Sequence, residues 1–116
     1  MSQGNLKELA MALIVELDTL CENTGGRSIF KTQLLRSASS IGANIYEAKY
    51  AQSNADFIHK LEIALKECHE TEYWVELLHN VHTFDDKSYQ SLQEKCGSIR
   101  HKLIASVKTV KEKYSV

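Results

Sequence analysis

Proline is absent from all 116 residues. Average usage of about 5% would place several in a chain this long. Without it no ring interrupts a helix interior, and the gap favours a mostly helical protein. Cysteine is scarce. Cys21, Cys68 and Cys96 are odd in number and lack paired spacing, which excludes a disulfide framework. Net charge is also nearly missing, at −1, so no global field draws the chain to nucleic acid or membrane. No apolar run is long enough to span a bilayer, and no signal peptide is visible. Cytoplasm is the expected compartment. Gly25-Gly26 reads as a turn, not as a phosphate-binding loop.

What is present is ordinary for a globular protein: 43% hydrophobic and 25% charged residues. The length suits one domain, residues 1–116, with one real core. Four helical segments are expected. The first, Asn5–Asn23, opens on an Asn5/Glu8 capping box. Leu6, Leu9, Ala10, Leu13, Leu17 and Leu20 keep the helical period within it. Met11–Val15 is apolar all round, as if more than one side were covered. The second segment runs from Ser28 to Ala51, with Leu34, Ala38, Ile41, Ile45 and Ala48 facing the core. Within it, Ser37–Ser40, Gly42 and Ala43 are small enough for other backbones to approach. The third, Asn54–His82, starts at a Ser53/Asp56 cap. Its core stripe is Phe57, Leu61, Ala64, Leu65, Cys68 and Val75. A second apolar set, Ile63, Trp74, Leu77 and Val81, lies opposite and needs another cover, most simply a partner subunit. Asp85 caps the fourth segment, with Phe84 and Tyr89 as a hydrophobic staple. Its stripe is Leu92, Cys96, Ile99, Leu103, Val107, Val110 and Tyr114. Gly97 inside it costs about 1 kcal/mol against alanine, for no reason visible in the sequence. Short connections make the expected fold all-α, an up-down antiparallel four-helix bundle.

Charge is unevenly spread. Residues 1–86 sum to −6 and residues 87–116 to +5. Lys95, Arg100, Lys102, Lys108, Lys111 and Lys113 could follow phosphates. Yet Lys95, Lys102 and Lys113 flank one side of the apolar stripe, while Arg100 and Lys111 flank the other. Such positions usually pair with acidic neighbours, so ion pairing is the stronger reading and nucleic-acid contact the weaker. Glu72 falls near the centre of the third core stripe and needs a cation there. Arg36 is the first candidate. Arg36 and Glu47 face away from their own core, however, so Glu70 on the outer face is the better partner for Arg36, across a subunit boundary. Each of Arg36, Glu47, Glu70 and Glu72 is expected in a structural polar network.

Glu76 and His79 match the Glu-x-x-His step of di-iron bundles, but no second such step exists. Cys68, Glu72 and His79 lack zinc spacing. His79 and His82 read as a polar helix end, and the cysteines as buried apolar groups. No metal, cofactor or catalytic residue is expected.

One family resemblance stands out. Gln33-Leu34, Arg36, Ala38, Ser40-Ile41, Asn44-Ile45 and Glu47 resemble the pattern of bacterial proteins encoded within intervening sequences of 23S rRNA genes. Ala48 stands where that family usually has Gly. Ser53, Asp56-Phe57, Leu61, Ile63-Ala64-Leu65, Glu70 and Glu72 continue the likeness. The resemblance implies a four-helix bundle that assembles with itself as a ring, typically a homopentamer, with an undefined biochemical role. A related branch is the accessory protein of diversity-generating retroelements, which binds nucleic acid through a basic surface. The sequence thus reads as a non-enzymatic binding or scaffold module contacting RNA or a nucleoprotein. The alternative is a purely structural ring.

Overall fold

The structure is a computed structural model that describes residues 3–114. It consists of α1 (Gln3–Asn23), α2 (Ser28–Ala48), α3 (Asn54–Asn80) and α4 (Asp86–Tyr114). No strand occurs among the described residues. Each helix packs on its neighbours in the order α1-α2-α3-α4 and α4 returns to α1, while among the described residues the diagonal pairs make no close backbone approach. Short connections reverse direction each time, which gives the up-down bundle expected from the sequence. Its extents are 47 × 20 × 19 Å.

The helix limits follow local chemistry. α1 already runs from Gln3, so Asn5 lies inside its first turn instead of capping it. Its C-terminal turn uses Gly26 at φ +91°, where a Cβ would stand 2.5 Å from Thr83 Oγ1; only glycine fits there without strain. α2 ends at Ala48, one turn earlier than expected. Ser53 Oγ accepts from the Asp56 N–H at 3.0 Å, and the Asp56 carboxylate accepts from the Gln52 N–H at 3.2 Å. Those bonds satisfy backbone donors that a helix start leaves open. His82, at φ 65°, takes the left-handed position after α3. Asp85 Oδ1 accepts from the Ser88 N–H at 2.7 Å and opens α4 as expected.

The buried apolar residues form one cluster. All five expected α2 residues lie in it. On α3 the expected stripe is shifted. Ile58, Thr71 and Leu78 are buried, whereas Phe57 and Leu65 are only partly so. Glu72 sits at the edge of the core with 29% of its side chain exposed, not at the centre. Thr71 holds the central place because its hydroxyl is satisfied. It lies 2.8 Å from Glu67 O and 2.9 Å from the equally buried Ser37 hydroxyl. A purely apolar pattern passes over such a pair.

Candidate interaction surfaces

Three of the four seams between neighbouring helices are bridged by charge. Across α2/α3, Arg36 pairs with Glu70 and lies 3.7 Å from Glu67. Lys60 meets Glu47 there at 2.9 Å. Arg36 and Glu70 therefore pair within one chain, not across a subunit boundary. Glu70 also accepts from Trp74 Nε1 at 2.9 Å. That bond, and then Arg36, hold its carboxyl below the ordinary value. Across α3/α4, Arg100 meets Glu72 at 3.3 Å and Lys111 meets Glu62 at 3.3 Å. A Cβ at Gly97 would stand 3.4 Å from Arg100 Nη2, an ordinary contact with the end of a flexible side chain, so the structure does not require glycine there. Across α1/α4, Lys95 pairs with Glu16.

Half of the basic α4 row is thus engaged by acids of the same chain. Lys102, Lys108 and Lys113 make no ion pair among the described residues, and Lys113 lies against the Tyr114 ring.

The α1/α2 seam differs. No ion pair joins these helices among the described residues. Gly42 brings them together, since its missing Cβ would touch Ala10 Cβ at 3.4 Å. Beside this close approach runs an open groove. One part, of about 550 Å³, is lined by Ile14, Val15 and Leu35 together with the polar Asp18, Thr19, Thr32, Arg36 and Ser39. A further part, of about 390 Å³, is lined by Met11, Ile14, Gly42, Ala43 and Tyr46, with Lys7 beside them. Met11 and Val15 are 55% and 58% exposed. A contiguous apolar surface of this kind on a helix pair is characteristic of contact sites.

On the other side of α2 lies a smaller apolar area. Ile63, Trp74 and Leu77 are half-buried within the single chain, and Val81 is exposed. Trp74 stacks on Phe30 with centroids 6.3 Å apart, so the chain's own α2 supplies part of its cover. Tyr73 packs edge-on against Trp74. Ile29 and Tyr73 are 62% and 58% exposed. Sequence periodicity did not single out these last two. Ile29 precedes the α2 stripe, and Tyr73 falls between the two α3 stripes.

The other sequence-stripe candidates are dispersed. Cys68 Sγ donates to Cys96 O at 3.4 Å. Burial pushes the Cys68 thiol up to about 12, and Cys96 is pushed up by the same cause. His79 Nε2 lies 2.7 Å from Asp86 Oδ1, and its ring stacks on Tyr89. Among the described residues no group of three or more His, Cys, Asp or Glu side chains could hold a metal ion. No described helix is long and apolar enough to cross a membrane.

Comparison with known proteins agrees with this architecture. The chain is 40% identical to a protein of unknown function from the S23 ribosomal protein family of Bacteroides thetaiotaomicron, whose crystal structure is known at 1.70 Å. The match covers 93% of this chain and 99% of that one, with a TM-score of 0.87. No curated protein matches the sequence. The family description 23S rRNA-intervening sequence protein fits residues 3–105, nearly the whole bundle. The chain therefore belongs to the 23S rRNA-intervening sequence protein family.

Proposed function

We propose that this protein is a non-enzymatic, self-associating module whose copies meet head to tail. The α1/α2 groove of one copy receives the α3 flank of the next, around Ile63, Trp74, Leu77 and Val81. The observation that carries the reading is the α1/α2 groove, which no ion pair crosses among the described residues, with Met11 and Val15 largely exposed beside small Ser39, Gly42 and Ala43. Two unlike patches make a heterologous contact. Such a contact closes into a ring when its rotation divides a full turn, and the family resemblance implies five copies. A cytoplasmic location suits three unpaired thiols. Light scattering across a concentration series tests the association. A mass several times 13.1 kDa is expected. A mass of one chain at every concentration would overturn the reading.

A second reading, contact with RNA or a nucleoprotein, is favoured by the lysines of α4 that no acid neutralises. Retention of RNA that weakens steeply with salt is its expected signature.

A further inference from the structure

The up-down topology brings the N-terminus of α1 and the C-termini of α2 and α4 to one end of the bundle. Tyr46 and Tyr50 stand there on the last turn of α2 and just beyond it. They are 44% and 66% exposed. Their rings meet edge-on with centroids 5.6 Å apart. Lys7 Nζ lies 5.3 Å from the centroid of the Tyr46 ring. Lys49 Nζ lies 5.5 Å from Tyr46 and 6.0 Å from Tyr50. Neither lysine has an acidic partner among the described residues. The same end carries Lys108 and Lys113 of α4, and Tyr114 at 49% exposure.

This combination is unusual on a surface without a ligand. Exposed aromatic rings cost hydration, and these two stand beside lysines whose charge no carboxylate engages among the described residues. The Tyr46 hydroxyl is held below its ordinary value by the hydrogen bond from Tyr50 and then by Lys49. Lys7 and Lys49 place positive charge beside the rings. The opposite end is acidic, with Asp18, Glu22, Glu76, Asp85 and Asp86 against Arg27, Lys31 and Lys87, whereas at the tyrosine end the cations and the carboxylates of Glu8, Glu47, Asp56, Glu62 and Glu112 nearly balance.

We propose that Lys7, Tyr46, Lys49 and Tyr50 form a binding site for single-stranded nucleic acid, with bases stacking on the tyrosine rings and phosphates held by the lysines. Stacking platforms flanked by cations bind unpaired strands with little sequence preference, because every base presents a π-face. Duplexes offer no free face to these rings. The end of the bundle is about 20 Å across, which suits a few nucleotides. The inference rests on the nucleic-acid reading given above, but moves the contact from the flanks of α4 to the bundle end. Association is not required, since one chain supplies all four side chains. Lys7 and Tyr46 also line the end of the α1/α2 groove, so strand binding here and the head-to-tail contact compete for the same side chains.

The test is fluorescence anisotropy of a labelled ten-nucleotide oligo-U RNA at low salt, with an oligo-dT strand and an RNA duplex alongside. The single strands are expected to bind and the duplex to bind far more weakly. Tyr50→Ala is expected to lower affinity about tenfold, as loss of one stacked base does, and Tyr50→Phe to restore it. Lys49→Gln is expected to reduce the salt slope by about one. If the wild-type protein binds no strand at all, the nucleic-acid reading itself fails. If it binds but Tyr50→Ala and Lys49→Gln bind equally well, while Lys108→Gln with Lys113→Gln does not, this site is wrong and the α4 flank is right. All of these positions are exposed, and circular dichroism of each variant checks that the helices remain.

Discussion

The α2/α3 and α1/α2 seams join the same helix to its two neighbours by different means. On the α3 side, Arg36 with Glu70, Lys60 with Glu47, and the buried Ser37–Thr71 hydroxyls cross the boundary. Directed contacts of that kind fix register and leave little free valence. On the α1 side, Gly42 lies against Ala10, Lys31 Nζ donates to Cys21 O at 3.0 Å, and Met11 and Val15 are left exposed at the rim. The first seam is complete in one chain. The second is stable against its own core yet still offers surface.

Several substitutions sharpen or break this contrast. The largest effect is expected from Met11→Glu combined with Val15→Glu. Both side chains are exposed, so the folded chain should keep its stability within about 0.5 kcal/mol. Association should be lost, because the carboxylates would be buried without partners. Light scattering and urea melts of the same variant measure both. Next comes Gly42→Leu, which forces a side chain between α1 and α2 and should cost about 1–3 kcal/mol by overpacking. Gly42→Ala, whose Cβ only touches Ala10, should be nearly neutral. A melt in which both behave alike would mean that the close approach is not what holds this seam.

The charged seam should respond more weakly. Arg36→Glu and Glu70→Arg are each expected to cost no more than about 1 kcal/mol, because the pair is largely exposed. The double reversal should recover part of that loss. Since the pair forms within one chain, the recovery should appear in the melt and not in the assembled mass. Acid gives a smaller effect still. Glu70 is held below its ordinary 4.5 by Trp74 and then by Arg36. Its contribution is therefore fully present above pH 4.5 and is lost as pH falls through the lower folded value. Trp74 fluorescence in an acid titration should follow that loss, and Glu70→Gln should flatten it.

How far the sequence foretold these seams depends on the kind of contact. Apolar periodicity was enough to identify the four helices and every buried residue expected on α2. It failed at Thr71 and Glu72, because a satisfied hydroxyl can take a central place that hydrophobic counting gives to a neighbour. The phase error moved Glu72 into the core, when it belongs at the edge beside Arg100. Met11–Val15 pointed to the exposed apolar side chains of α1, since no single helix face can bury an apolar run. Tyr46, Tyr50, Lys7 and Lys49 gave no such signal. They come from two helices and a helix end, and only the folding of α2 back along α1 brings them together.

The head-to-tail claim is tested most directly by mixing two variants that each lack one patch. Met11→Glu/Val15→Glu destroys the groove and keeps the α3 flank. Ile29→Glu/Tyr73→Glu alters exposed positions on the flank and keeps the groove. Neither should assemble alone. Mixed in equal amounts, the one intact groove and the one intact flank should pair and stop there, giving a heterodimer by light scattering. If the flank variant alone still assembles, or the mixture contains only single chains, the two faces do not meet.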